Sequence, residues 1–273
     1  MAIQAQLARH KSIAMLMVKY RDAGIFSAPG LDPTLISDDE AKAIEPGRPD
    51  ELVADLEALG PTFIKLGQSL ATRPDLVGKP WRKALERLQD DVGRIPFDQV
   101  RDRVEEELGA RLSSAFQSFD EKPLAAASLA QVHGATLRDG RAVVVKVQRP
   151  GVRETIQQDL AALETLAGTA DHLTEAGRRY QFRDWVAEFR QTLMAELDFL
   201  KEAENLEMAA SNLSSYPMLQ VPQPVWDLSS HRVLTMDRIR GQRVDRIPDV
   251  VRTEKTLAPL ATALVKAYLD QAF

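Results

Sequence analysis

The sequence predicts an α+β protein in which a short antiparallel sheet is preceded and followed along the chain by helices. Residues 49–118 show helical periodicity throughout. An Asp139-Gly140 pair then separates two β-favouring runs, which is a strong signal for a hairpin, and long helical patterns resume at residue 152. These three observations divide the chain into four segments, at 1–48, 49–122, 123–240 and 241–273.

The first segment is predicted to be an amphipathic helix followed by a linker. Ile13, Met17 and Tyr20 recur at helical spacing among basic residues, and the stretch Ser27–Pro33 is rich in turn-forming residues. A basic amphipathic helix can lie on a membrane surface or dock on its own protein. We expect this helix to dock.

Helices dominate the second segment, where Gly60-Pro61 marks the end of one helix and the start of the next. A further helix is expected from Pro96 to Leu108, since Gly109 follows it. Beyond the hairpin, the pattern predicts helices at 152–171, 183–212 and 253–273, and short strands at Pro224–Asp227 and Arg232–Met236.

Composition and charge exclude several classes of protein. The chain has 35 Lys and Arg against 40 Asp and Glu, a net charge of −5, whereas nucleic-acid binding requires a basic surface. It has no cysteine, which excludes disulfides and thiolate metal sites. Since no stretch approaches the roughly 18–20 apolar residues that span a bilayer, we expect a soluble, cytoplasmic protein that is at most attached to a membrane surface.

Lys146 is unusual because it lies within the valine-rich strand Ala142–Val147. Side chains alternate along a strand, so Lys146 shares one face with Val144 while the neighbouring valines point the other way. An exposed lysine on an edge strand is the common explanation. The alternative is a phosphate-binding lysine, since the small-residue segment Ala125–Ser128 precedes the hairpin and an acidic helix follows it.

The acidic helix offers Glu196, Asp198 and Glu202 as partners for that lysine. If one helix spans 183–212, Asp198 and Glu202 lie about 40° apart on one face, and Glu196 lies about 240° from Glu202. The carboxylates of such a helix would pair with two cations that lie on different sides of it. A solvated acidic surface is the ordinary alternative, and a metal site formed by the three carboxylates is a third.

Four motifs, in this order, resemble the AarF/UbiB family of atypical protein-kinase-like proteins, which is linked to ubiquinone biosynthesis. They are the KxGQ signature, the alanine-rich loop, the strand lysine and the ExD motif, found here as Lys65-Leu66-Gly67-Gln68, Ala125-Ala126-Ala127-Ser128, Val143-Val144-Val145-Lys146 and Glu196-Leu197-Asp198. The resemblance extends from about Arg9 to the last residue. It implies a protein-kinase-like fold, with a small lobe at 123–240, the start of a helical large lobe at 241–273 and a helical KxGQ extension at 49–122.

The resemblance also implies roles for individual residues. Lys146 would bind the phosphates of ATP, Glu202 would orient Lys146, and the alanine-rich loop would cover the nucleotide. Lys65 and Gln68 would lie across the place where a protein kinase takes its peptide, with Lys65 facing Glu196. The segment Met236-Asp237-Arg238-Ile239 resembles the hinge that binds adenine, which makes Met236 and Arg238 cofactor-binding candidates.

The implied activity is that of an ATPase or phosphotransferase supporting ubiquinone or related isoprenoid-lipid biosynthesis. The implied partners are a nucleotide, an isoprenoid lipid, a membrane surface and ubiquinone-pathway proteins, and no nucleic acid. Mg²⁺ is expected for the family, but its ligands are missing from this sequence. The alternative function is that of a non-catalytic pseudokinase or helical scaffold that binds membrane-associated biosynthetic enzymes.

Two parts of a phosphoryl-transfer site are missing from the sequence. Neither Asn205 nor Asn212 follows an aspartate by five residues, and Asp198-Phe199 continues with Leu200, so no DFG is present. We therefore expect that the chain stops before the catalytic loop of the family. The apolar face of the last helix is then expected to be exposed and to favour self-association.

Overall fold

The computed structural model describes residues 2–20, 38–88, 93–173, 178–179, 181–241 and 257–272. The chain divides into two compact units. The helical unit comprises Met1–Gly93, Ala126–Ala130 and Arg149–Leu197. The sheet unit comprises Arg94–Ala125, Gln131–Gln148 and Asp198–Phe273. The connector predicted at Ser27–Pro33 lies outside the described residues.

The helical unit follows the predicted periodicity closely. Gly60 has a φ of 95°, a conformation that favours glycine, and Pro61 opens the next helix, so the chain turns where the sequence predicts. The helices of this unit are α1 (Ala2–Lys19), α2 (Asp38–Ala43), α3 (Pro49–Leu59), α4 (Pro61–Ala71), α5 (Lys79–Leu85), α8 (Val152–Leu173) and α9 (Phe182–Glu196).

Helix α1 docks on the helical unit through its apolar face. Ile13, Leu16 and Tyr20 are buried in one core with side chains from α3, α4, α8 and α9. Arg9 reinforces this packing, since its guanidinium donates to both carboxylate oxygens of the buried Asp159 on α8, at 2.7 and 2.8 Å. The docking expected for this helix is therefore confirmed over its described side chains.

The sheet unit consists of a four-strand path with a short extra strand. Its helices are α6 (Phe97–Leu108), α7 (Leu112–Ala115), α10 (Phe199–Asn212) and α11 (Ala258–Ala272). Its strands are β1 (Ser118–Phe119), β2 (Ala125–Ala126), β3 (Ala130–Thr136), β4 (Ala142–Gln148) and β5 (Val233–Asp237). They are ordered β1-β3-β4-β5, and β2 pairs with β3. The Asp139-Gly140 hairpin joins β3 to β4, with Gly140 at a φ of 87°.

Valines from one face of β4 form the centre of the sheet-unit core. Val143, Val145 and Val147 are buried with Val104 of α6 and Val233 of β5. This alternation is the one that the sequence predicts, and it leaves Lys146 on the opposite face. The alternation along β4 therefore determines the face of the sheet on which Lys146 lies, independently of its charged partners.

Two elements near the end of the chain differ from the sequence prediction. Pro224–Asp227 is not a strand, because only Pro224 forms a bridge, to Met236, and Trp226–Leu228 is a short 3₁₀ helix. The last helix begins at Ala258 in the described residues, and its exposed large side chains are Leu264, Val265, Tyr268 and Leu269. Leu257 and Leu260 are half-buried, so the expected exposure of the apolar face is found only in part. Self-association through this face stays a prediction.

Candidate functional site

Lys146 lies on an interior strand of the sheet. Strand β4 is hydrogen-bonded to β3 on one side and to β5 on the other, with Lys146 opposite Leu234 in antiparallel register. The edge-strand explanation for this lysine is therefore wrong. An amine held on an interior strand needs a partner, because lysine is seldom buried without one.

The partner of Lys146 is Glu202, on the first turn of α10. The ammonium Nζ lies 2.6 Å from Oε2 of Glu202 and 4.7 Å from the centroid of the fully buried Phe199 ring. The two charged side chains are 25% and 37% exposed. The amine is thus held by a carboxylate and an aromatic face, and the Lys146 side chain is still partly exposed to solvent.

The helix that carries Glu202 does not continue the one that carries Glu196. The sequence predicts one helix over 183–212, but α9 ends at Glu196 and α10 begins at Phe199. Asp198 caps α10, and its Oδ1 accepts a hydrogen bond from the Leu200 N–H at 3.2 Å. The prediction that one continuous helix carries Asp198 and Glu202 about 40° apart on one face is therefore wrong.

The three carboxylates each have a different partner. Glu202 pairs with Lys146 and Glu196 with Lys65, while Asp198 accepts from His231 Nδ1 at 2.8 Å. Within the part of the chain that the structure describes, no three His, Asp or Glu side chains could hold a metal ion together. The hypothesis of a metal site formed by the three carboxylates is therefore wrong.

The alanine-rich segment begins in strand β2 (Ala125–Ala126) and continues into a tight turn that leads to β3. Ala125 is exposed, Ala126 and Ala127 are half-buried, and Ser128 is buried. The Ala127 N–H donates to the Ala130 carbonyl at 2.8 Å, and Arg149 Nε donates to the Ala127 carbonyl at 2.8 Å. Small side chains and a braced backbone suit the approach of a phosphate, but a nucleotide-covering role stays a prediction.

The predicted hinge begins inside a strand. Strand β5 extends to Asp237, so Met236 is still paired with Val144 of β4, and the sequence places the end of the strand one residue too early. The Arg238 N–H donates to the Ala142 carbonyl at 3.1 Å. Both residues are half-buried, and their contact with adenine stays a prediction.

Lys65 and Glu196 form a charged pair within the helical unit. Their Nζ and Oε2 atoms lie 3.1 Å apart, with side chains 21% and 42% exposed. They line a cavity of about 320 Å³ between α4 and α9, together with Gln68 and the stacked rings of Trp185 and Phe189. The volume is at the lower end of the range for small-molecule sites.

The close packing around Gly67 explains why the motif from Lys65 to Gln68 contains a glycine. A Cβ at this position would lie 2.3 Å from Leu88 Cδ1 and 2.9 Å from Leu56 Cδ1, both in the core. The absence of a side chain therefore lets α4 pack closely against its neighbours, which fixes the face that presents Lys65. That the pair Lys65–Glu196 and the pair Lys146–Glu202 serve one site stays a prediction.

Sequence reasoning missed Phe199 and His231. Phe199 lies against the ammonium of Lys146, and its N–H donates to the His231 carbonyl at 3.1 Å. No sequence pattern predicts the His231 contact, because it depends on a turn 33 residues after Asp198. The aromatic residue after the ExD motif was visible in the sequence, but not its position relative to the lysine.

No helix in the described part of the chain is both long enough and apolar enough to cross a lipid bilayer.

The fold and the paired strand lysine define a kinase-like protein. The model of the ABC1 atypical kinase-like domain matches residues 87–273, and the chain belongs to this family. The predicted α+β, kinase-like fold and the predicted AarF/UbiB membership are thereby confirmed.

Relatives in three bacteria are similar over most of the chain. A "Probable protein kinase UbiB" of Marinobacter nauticus is 38% identical over 226 residues, covering 83% of this chain and 41% of the relative. That of Azotobacter vinelandii is 42% identical over 218 residues, covering 80% and 41%. The uncharacterized protein Rv0647c of Mycobacterium tuberculosis is 43% identical over 198 residues, covering 71% and 40%. The chain spans about two-fifths of the length of these relatives.

One similar solved structure is that of Rv3197 from Mycobacterium tuberculosis in complex with erythromycin. It is 30% identical, with a TM-score of 0.52, and the match covers 76% of this chain and 51% of that chain.

Proposed function

We propose that this chain provides the nucleotide-binding part of a UbiB-type atypical kinase, with Lys146 as the ligand for ATP phosphates. The observation that carries the proposal is the 2.6 Å contact between Lys146 and Glu202 on an interior strand. A carboxylate that holds a strand lysine in one direction is the arrangement by which kinase lobes present an ammonium to phosphate oxygens. The UbiB names of the relatives support the same function.

The residues present fit the phosphate end of a nucleotide. The Lys146 side chain is 25% exposed, and its ammonium group is held between Glu202 and the Phe199 ring. ATP, when bound, supplies a transferable γ-phosphoryl group. Because the described residues include no cluster able to hold a metal ion, we derive no step that relies on Mg²⁺.

We further propose ATPase or phosphotransferase activity in ubiquinone or related isoprenoid-lipid biosynthesis, on the strength of the UbiB names alone. Its partners would be lipid-pathway proteins, an isoprenoid lipid or the membrane surface beside them. The competing proposal is a non-catalytic scaffold. Release of phosphate from ATP by the purified chain, lost in Lys146→Ala, would support the first proposal and contradict the scaffold.

Nucleotide binding is tested by calorimetric titration of the chain with ATP. We expect Lys146→Ala to weaken ATP binding by about tenfold or more, the usual consequence of losing one charged hydrogen bond. Lys201→Ala, an exposed lysine on α10, is the matched control and should bind as the unchanged protein does. Equal affinities for all three proteins would remove the assignment of Lys146.

A further inference from the structure

His231 contacts the start of α10 twice. Its Nδ1 lies 2.8 Å from Oδ1 of Asp198, the residue that caps the helix, and its carbonyl accepts the Phe199 N–H at 3.1 Å. The same Asp198 oxygen accepts the Leu200 N–H. One residue thus engages both the cap and the first N–H of the helix.

The protonation of this contact follows from its geometry. Burial raises the pKa of Asp198, but the hydrogen bond and charge of His231 and the backbone N–H groups outweigh this and hold the pKa below its usual value. An ionised carboxylate only accepts hydrogen bonds, so the proton of the contact lies on Nδ1 of His231. The histidine therefore acts as a donor in either of its charge states.

His231 is also tied to the strand that carries Lys146. Lys146 is opposite Leu234, Val147 is opposite Val233, and the Gln148 N–H donates to the Arg232 carbonyl at 2.9 Å. His231 precedes Arg232 and lies two residues before β5 begins. Lys146 is thus connected through the β4–β5 pairing to the segment that carries His231. The two hydrogen bonds of His231, to Asp198 and to Phe199, connect that segment to the first turn of α10, on which Glu202 lies.

We propose that His231 is a positioning residue, whose Nδ1–H holds the first turn of α10 so that Glu202 meets Lys146. Its effect on ATP rests on the proposed function, whereas its effect on the helix start does not. The His231 side chain is 67% exposed and that of Asp198 is 24% exposed, so the contact is of the partly solvated kind that contributes modestly.

The experiment compares three substitutions that differ in where they place a donor. Asn places its amide N–H where Nδ1–H lies, Gln places it near Nε2, and Ala has none. We expect His231→Ala and His231→Gln to speed hydrogen exchange of the Phe199 amide, and to weaken ATP binding, by about two- to fivefold each. His231→Asn should restore both, and the exposed His172→Asn should change neither.

The two readouts separate the positioning role from the proposed function. If the unchanged protein does not bind ATP, the nucleotide site is wrong, and the Phe199 exchange rates alone decide the role of His231. Exchange rates equal in all variants would overturn the proposal. So would an Asn variant as impaired as the Ala variant, because the histidine would then act through packing and not through its donor.

Discussion

His133 shows how a single buried residue can be fixed in one protonation state. The ring is fully buried on β3, and its Nδ1 lies 2.7 Å from the Asp120 carbonyl, an acceptor that requires Nδ1 to carry the proton. Its Nε2 therefore accepts from the Gln131 amide, at 2.9 Å. That amide is itself fixed, because Gln131 bonds both the N–H and the carbonyl of Ile95.

This network predicts a loss of stability in acid. Burial lowers the pKa of His133 below its ordinary value, against a smaller raising effect of the Asp120 carbonyl. The contribution of the neutral ring is therefore complete above the unfolded-state pKa of about 6.5 and is lost as the pH falls below it. Protonation would also place a second donor against the Gln131 amide.

We expect the free energy of unfolding of the unchanged protein to fall more steeply below about pH 6.5 than that of His133→Asn. Urea unfolding followed by circular dichroism at several pH values measures both. The exposed His172→Asn serves as the control and should keep the full pH dependence. Parallel curves for His133→Asn and the unchanged protein would contradict the account.

Among the elements, α4 depends on a glycine for its packing. We expect Gly67→Ala to lower the free energy of unfolding by about 1–3 kcal/mol, because the added methyl group overpacks the core beside Leu56 and Leu88. Gly168→Ala on α8 is the matched control. No described residue lies within 4 Å of a Cβ placed at Gly168, so the substitution should raise stability by about 0.5–1 kcal/mol. Equal effects of the two substitutions would show that helix propensity, and not packing, determines the change in the free energy of unfolding.

Helix α1 depends on a buried ion pair. Asp159 accepts from Arg9 and from the Thr62 hydroxyl at 2.6 Å, so the loss of Arg9 leaves a buried carboxylate short of its counter-charge. We expect Arg9→Ala to cost about 3 kcal/mol in urea unfolding. Lys11→Ala, also on α1, removes an exposed pair with Glu40 of α2 and should cost under about 1 kcal/mol. A cost for Arg9→Ala no greater than that of Lys11→Ala would refute the anchoring role.

The elements that the sequence predicts are those determined by local pattern. Gly60-Pro61 and Asp139-Gly140 turn the chain as expected, and the β4 valines alternate as expected, because backbone conformation and side-chain period are local properties. The break between α9 and α10 was missed because Asp198 caps α10 with help from His231, which is distant in sequence. The strand assigned to Pro224–Asp227 failed because pairing with β5 stops at Val225, where the chain turns into the 3₁₀ helix Trp226–Leu228.

For the whole molecule, the predicted site is best supported where one unit contains both partners. Lys146 and Glu202 lie together in the sheet unit, and Lys65 and Glu196 in the helical unit. Family membership follows from the matched domain. The Lys146–Glu202 contact is the feature on which the proposed nucleotide site rests. The roles of the alanine-rich segment and of Met236 and Arg238 depend on a bound nucleotide and stay predictions.

The most direct test of the nucleotide site is a double-mutant cycle on ATP affinity, with Lys146→Ala, Glu202→Ala and the double variant. If Glu202 acts only by orienting Lys146, each single substitution weakens binding, and the double variant binds no more weakly than Lys146→Ala alone. Independent, additive losses would mean that the two side chains do not act as a unit. Unchanged affinity in all three variants would contradict the site altogether.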